Sequence, residues 1–517
     1  MSRPTNGNRR FKYQIWDDGV EITGYEGDIG ETLVVPEEVD GRPVRKIGRR
    51  AFQGRSLLTS VELPEGLQTI GNLAFKGCSL GVVKLPSTLE EIGGGWGCIG
   101  FEIPESRSRF RVIDGVLFDK EAKTALAYPG NRRDESYYVP EGVETIGPSA
   151  FEGCSLTRTV LPKGLKTIEF KAFLHCNSLT SVEFHEGLQS IGDRAFEGCN
   201  LLAGVKFPEG LQTIGNCAFY GCNSLTNVEL PKGLQTVGES AFSFCNSLAS
   251  VEFPEGLQTV GKSAFFYCNS LVSVELPEGL QTVGKSAFSY CDSLASVKLP
   301  KGLQTFGDCA FEVCSSLASV ELPEGLQTLG AFAFSHCASL AGVKLPGGLQ
   351  TLGAFAFSHC ASLASVELPE GLQTIMDGAF EDCNALTSVA LPEGLQTLGA
   401  FAFSGCSSLE SVELPEGLQT VGAYAFSGCS SLESVKLPDG LRTLESSAFK
   451  DCQKLRSVHF PNSLKTIGES AFHDCHALES VALPRSLQTI GSDAFPDGVI
   501  LTAPEGSWAA KWLGERK

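Results

Sequence analysis

The chain has 517 residues and carries 41 basic against 60 acidic side chains, a net charge of −19. That balance argues against non-specific binding to nucleic acid or anionic lipid, and no basic cluster with interleaved aromatics offsets it. Nineteen cysteines would suggest a disulfide framework in a short secreted chain, but their spacing here follows a different rule.

In chain order, residues 1–10 are polar and predict a disordered tail. Residues 11–44 alternate apolar and polar side chains between turn signals such as Asp18-Gly19 and Asp40-Gly41, which predicts an N-terminal β cap. From about residue 45 to 500 one sentence of 23 residues repeats. Its phenylalanine recurs from Phe173 through Phe196 and Phe219 to Phe495 at fifteen positions without a slip. Its cysteine does the same from Cys176 to Cys475. A fixed period of this size means a solenoid whose units stack only on their neighbours. Length alone would suggest three or more domains, but a core that grows lengthwise makes one elongated domain the better reading.

A single unit, Gly256 to Glu278, shows what each repeat builds. Val274 and Leu276 alternate with Ser273 and Glu275, the period of a short strand with one buried and one wet face. Pro277 ends that strand because it has no N–H to give to a ladder. Leu280-Gln-Thr-Val283 reads as a second extended segment. Gly284-Lys-Ser-Ala-Phe288 is too short for a regular helix, so a 3₁₀ or single α-turn is expected there. Phe288, Cys291 and Leu294 should point inward. Stacked at about 4.8 Å, roughly nineteen such units would make an arc on the order of 90 Å.

The register breaks once. Phe75 and Phe151 lie 76 residues apart, seven more than three periods, and Gly93-Gly-Gly-Trp96 replaces Ala-Phe in between. Asp114-Gly115 separates two alternating apolar runs, which predicts a hairpin between Phe110 and about Tyr128 within irregular repeats at about 93–140. At the other end, residues 501–517 leave the repeat. Ser507 is a fitting N-cap for a short cap helix that would gather Trp508, Trp512 and Leu513 on one face.

The pattern L-x-x-V-x-L-P-x-x-L-x-x-I/V-G-x-x-A-F-x-x-C resembles the BspA-like, Treponema-type leucine-rich repeats, and the match covers nearly the whole chain. The resemblance implies a curved leucine-rich-repeat solenoid, mainly parallel β with short 3₁₀ or α turns and capped at both ends. Many relatives of that type are surface or secreted proteins, so a cell-surface adhesin or antigen is the function the resemblance adds as an alternative. The residues themselves point elsewhere. The amino terminus lacks an apolar stretch of signal-peptide length and no run of about 18 apolar residues occurs, so a cytoplasmic protein without a membrane span is expected.

Three motifs invite chemistry. Gly256-LQTV-Gly261-Lys262-Ser263 and its copy at Gly279–Ser286 fit the P-loop expression. That motif needs a following helix to receive phosphate, which a one-turn segment does not supply, so no nucleotide site is expected. His336 and His359 occupy equivalent places beside column thiols, a pair that could hold a metal, although surface histidines copied with their repeat are the simpler reading. Seventeen of the cysteines read as buried small hydrophobes rather than ligands or disulfides, with Cys217 and Cys309 as outliers. No catalytic constellation emerges, so neither an enzyme nor a cofactor is expected.

Columns are the better unit for function. Outward strand positions run Glu229, Glu252, Glu275, Lys298, Glu321, Lys344, Glu367, Ala390, Glu413, Lys436 and should line the concave face as a solvated surface. The position before the cysteine is glycine in several repeats, yet reads Phe244, Tyr267, Tyr290, Val313, His336, His359 over six consecutive units. The position two before the phenylalanine is usually polar but reads Phe332, Phe355, Phe401 and Tyr424. Neither is a core position, so these residues are the candidate partner-binding set, with lateral packing between turns as the alternative. The reading is a monomeric, non-enzymatic scaffold that binds protein partners through concave and lateral surfaces. A glycan-binding solenoid using the column Thr259, Thr282, Thr305 is a further alternative, which needs a flat array.

Overall fold

The computed structural model describes residues 10–104 and 108–515, so most of the expected amino-terminal tail lies outside the described residues. The chain forms two compact units, Met1–Pro254 and Glu255–Lys517. Both are parallel β-solenoid, and together they make about 21 turns. That exceeds the nineteen expected from spacing: the irregular stretch after Phe75 winds a rung around Tyr128, and the amino-terminal segment forms another, with Gly19–Tyr25 and Thr32–Val34 each paired in parallel to the strand that follows in its ladder.

Each regular rung contributes two short strands. In the second unit Ser273–Glu275 pairs in parallel with Ser296–Lys298, residue for residue at the repeat spacing. The second ladder does likewise, with Thr282 beside Thr305 and Val283 beside Phe306. In Ser273–Glu275 only the central valine is buried, as the alternation requires. Inside, the column phenylalanines stack ring on ring: Phe173 and Phe196 are 5.0 Å apart at 4°, and Phe265 and Phe288 are 5.3 Å apart at 4°. Where the repeat lacks its phenylalanine another ring takes the place. Trp96 stacks on Phe75 at 5.0 Å and Tyr128 on Phe151 at 5.1 Å.

The first unit opens with the antiparallel pair Phe11–Trp16 and Gly19–Tyr25, and the latter joins the ladder by pairing in parallel with Arg42–Ile47. Farther on, Phe110–Ile113 and Val116–Asp119 pair antiparallel across Asp114 and Gly115, whose φ values of 48° and 75° are those of a two-residue primed turn. Thr124–Ala127 then pairs antiparallel with Val116–Asp119 and parallel with Thr145–Ile146, which returns the chain to the ladder.

The turn before each cysteine is not the 3₁₀ or α-turn that its length suggests. Ala287 and Ser289 donate within the turn, to the carbonyls of Gly284 and Ser286 at 3.2 and 3.3 Å. The amides between them donate to the next rung instead: Ser286 to Asp308, Phe288 to Ala310 and Tyr290 to Glu312, at 2.8–2.9 Å. A helical turn would keep every amide to itself. Left-handed residues at Ser286 (φ 54°) and Tyr290 (φ 61°) turn alternate amides outward, so the corner is another inter-rung ladder.

Among the described residues the one helix is Trp508–Glu515, and Ser507 Oγ accepts the Ala510 N–H at 3.1 Å as an N-cap. Its buried residue is Ala509, whereas Trp508 is 39% exposed. The expected apolar face is thus displaced by one residue. Trp508 lies outside, stacked on Trp512 at 6.4 Å.

All nineteen cysteines are free, and all but Cys217 and Cys309 are buried. The thiols do more than fill space. Most column Sγ atoms donate to the carbonyl of the phenylalanine one rung earlier, as Cys291 does to Phe265 at 3.3 Å and Cys337 to Phe311 at 3.2 Å, while Cys154 Sγ lies 3.3 Å from Cys176 Sγ. Burial pushes the Cys245 and Cys291 thiols up to about 12, which suppresses the reactive thiolate. A thiol reagent is therefore expected to label only Cys217 and Cys309 in the native protein, and all nineteen cysteines in guanidinium chloride. Rapid native labelling of the column, or cystines found by mass spectrometry, would overturn this assignment.

Candidate interaction surface

Both candidate columns have left-handed backbone. Before the cysteine, φ is 60° at Phe244, 59° at Tyr267, 61° at Tyr290, 57° at Val313, 60° at His336 and 58° at His359. The second column matches it, with φ of 56° at Phe332, 57° at Phe355, 58° at Phe401 and 57° at Tyr424. Glycine recurs before the cysteine for this reason and not for its size: Gly198, Gly405 and Gly428 have φ of 72–74° there. Each non-glycine residue at such a position costs about 1–2 kcal/mol of backbone strain.

What the strained residues do with their side chains is consistent. Apart from Phe244, each ring lies over the corresponding residue of a neighbouring rung. Tyr267 and Tyr290 stack at 4.5 Å and 7°, with Phe266 edge-on to both at 4.9 and 5.5 Å. Phe332 stacks on Phe355 at 4.9 Å, His336 on His359 at 4.3 Å, and Phe401 on Tyr424 at 4.8 Å. In the first unit Phe244 tilts against Tyr220 at 5.2 Å. Phe355 ends its run over Gly378, where an added Cβ would lie 2.3 Å from the ring. Stacking hides ring faces and leaves edges in solvent. Phe332 and Tyr424 remain 36% and 37% exposed, while the other rings are half-buried except for the exposed His336. The structure thus joins the candidates in short stacked pairs along the corner face.

Polar groups lie beneath. Ser335 and Ser358 are buried and share a 2.8 Å hydroxyl hydrogen bond. Partial desolvation where its ring stacks, and then the neighbouring His359, hold the His336 imidazole below its ordinary range. His359 Nδ1 stands 3.3 Å from Asp382 Oδ2. Burial, then Glu312, raises the Tyr290 phenol, and burial with Asp382 raises the Glu381 carboxyl. The imidazoles do not converge with the thiols beside them, since Cys337 and Cys360 turn inward to Phe311 and Phe334 carbonyls. Among the described residues no group of three or more His, Cys, Asp or Glu has metal-binding geometry. Lys285 of the P-loop-like stretch stands exposed on its corner with no helix after it.

The strand face is a ladder of exposed charges. Lys298 pairs with Glu275, Lys344 with Glu321 at 2.7 Å and Lys436 with Glu413 at 4.0 Å. Pairs this exposed add little to stability, so they keep the face soluble and in register more than they stabilise it.

The sequence reading placed the candidate residues on a lateral face but missed their backbone state. The signal was present, because aspartate joins glycine in the same column at Asp382, Asp451 and Asp474. These are residue types that tolerate left-handed φ.

Comparison with known proteins agrees with this architecture. The crystal structure of a leucine-rich repeat protein from Bacteroides ovatus is similar at 26% identity and a TM-score of 0.62, over 77% of this chain and 98% of that one. A leucine-rich cell surface protein from Faecalibacterium prausnitzii matches at 21% identity and a TM-score of 0.37, over 84% and 94% of the two chains. The pneumococcal vaccine antigen PcpA matches at 17% and 0.40, over 77% and 96%. No curated protein matches the chain. The family model described as "BspA type Leucine rich repeat region (6 copies)" matches residues 41–96, 133–203, 201–317, 281–408 and 373–502. With the in-register phenylalanine and cysteine ladders accounting for those matches, the chain belongs to the BspA-type leucine-rich-repeat family.

Proposed function

We propose that this chain is a non-catalytic scaffold that binds protein partners through its corner face. One observation carries the reading. Over a run of rungs, rings stand at left-handed positions where glycine would avoid the strain, and they keep their edges in solvent. Aromatic residues with partial exposure are typical anchors of protein recognition, and a solenoid offers them along an extended surface.

The test is the double variant Tyr267→Gly with Tyr290→Gly, glycine being chosen because it suits φ near 60°. The expected result is an unfolding midpoint close to the parent and a clear loss of protein co-precipitated from native lysate. Unchanged co-precipitation, or a strongly destabilised variant, would return these rings to a packing role.

A further inference from the structure

The strand ladder of the first unit is interrupted at several places, one of them between Ser181–Glu183 and Val205–Lys206. Arg158–Val160 pairs with Ser181–Glu183 over three residues, and Val205–Lys206 pairs with Asn227–Glu229 over two. Between these groups, among the described residues, a single bridge joins Ser181 to Gly204. The residues around the opening depart from the repeat together. Phe184 and Phe207 stand where most rungs carry leucine, and His185 stands where most carry proline. The two large rings lie parallel 5.9 Å apart, each edge-on to a core phenylalanine, Phe196 at 5.7 Å and Phe219 at 5.5 Å. Gly204 replaces the outward serine of other rungs, and a Cβ there would meet nothing within 4 Å.

The result is a depression of about 640 Å³ with Phe184 and Val205 in its floor and Arg158, His185 and Lys206 on its rim. That volume lies in the range of small-molecule sites, roughly 300–1,000 Å³. Its lining sets Arg158 and Lys206 against two acids, in a chain of net charge −19. Of the two acids that line it, Glu183 is engaged by Arg158 at 3.6 Å, and Glu186 lies toward the following turn. The Lys206 ammonium makes no ion pair among the described residues, although Glu183 and Glu229 flank it along the outward column.

We infer that this cleft binds a small amphipathic organic anion, its apolar body on Phe184 and Val205 and its carboxylate or sulfonate at Lys206. The inference stands apart from the corner face and from protein binding, because the cleft lies on the strand face and has the volume of a small ligand. A protein partner would need a broad surface, whereas this opening spans only three neighbouring strands, from Arg158 to Pro208.

The probe is 8-anilinonaphthalene-1-sulfonate, titrated into the full chain at neutral pH with fluorescence as the readout. One saturable site is expected. Lys206→Glu and Gly204→Gln should each weaken it by about tenfold or more, whereas Lys436→Glu, the same column in the second unit, should leave it unchanged. Decanoate should compete and decyltrimethylammonium should not. Lys206 is exposed, so its reversal keeps the test decisive should Gly204→Gln fail to fold. No saturable site, a site indifferent to Lys206→Glu, or equal competition by the cationic amphiphile would overturn the assignment.

Discussion

Truncating Phe334 to alanine is expected to lower stability by about 3–5 kcal/mol, the range for a fully buried aromatic whose neighbours cannot collapse into the gap. Phe334 is 0% exposed and lies between Phe311 and Phe357, each 5.6 Å away at 5°. Phe306 touches it from the second ladder at 5.5 Å. Those neighbours are pinned to the rungs that follow them, by the Phe311 amide to the Ala333 carbonyl and the Phe357 amide to the Ala379 carbonyl, both at 2.9 Å, so they have little freedom to fill the cavity. Because each rung contacts only adjacent rungs, the damage should also be local. Denaturant titration reads the size of the loss, and native thiol labelling reads its place. Cys337 and Cys360 should become reactive while Cys475 stays protected. The surface control Phe332→Ala, at a ring 36% exposed, should cost far less. A loss under about 1 kcal/mol for Phe334→Ala would mean that the ring ladder is not the core.

Much of this architecture is legible without coordinates because it is carried by side chains with a fixed period. A buried valine between outward serine and glutamate, a proline that ends the strand and an unbroken phenylalanine column can each be satisfied by one placement only. The irregular rungs were harder. Trp96 lies beside a glycine run, two residues short of a full period after Phe75, whereas Tyr128 sits in a stretch with no Ala-Phe, and only its stacking on Phe151 at 5.1 Å reveals it as a ladder residue. The thiol contacts were invisible for another reason: a cysteine flanked by apolar residues reads as filler whether or not its Sγ meets a carbonyl. The backbone of the corner face is the least legible part. A phenylalanine at Phe332 announces an apolar surface, but nothing in its chemistry announces a φ of 56°. Backbone state is set by the amides that must reach the next rung, and that demand belongs to the stack rather than to the residue.

That demand yields the last expected result. At Val313, φ is 57°, and a β-branched side chain is the least suited to this conformation. Val313→Gly should relieve about 1–2 kcal/mol of strain and give back about 0.5–1 kcal/mol through the greater freedom of the unfolded chain. A net gain of up to about 1 kcal/mol is expected. The reverse change, Gly405→Val, places a β-branched residue at φ 72°, and its Cβ would fall 2.0 Å from Asp382 Oδ1. The carboxylate can swing aside but the backbone cannot, so a loss of about 2–4 kcal/mol is expected. Gly405→Asp should fall between them, because aspartate tolerates this conformation, as Asp382, Asp451 and Asp474 do at φ of 55–60°, but its own charge would stand beside the Asp382 carboxylate. Denaturant midpoints at constant slope give all three values. The order glycine, aspartate, valine would establish that conformation sets the column's preference. Were Val313→Gly instead to destabilise by more than about 1 kcal/mol, side-chain packing between rungs would outweigh the strain. The rings at Tyr267, Tyr290, His336 and His359 would then be explained by packing, without a partner.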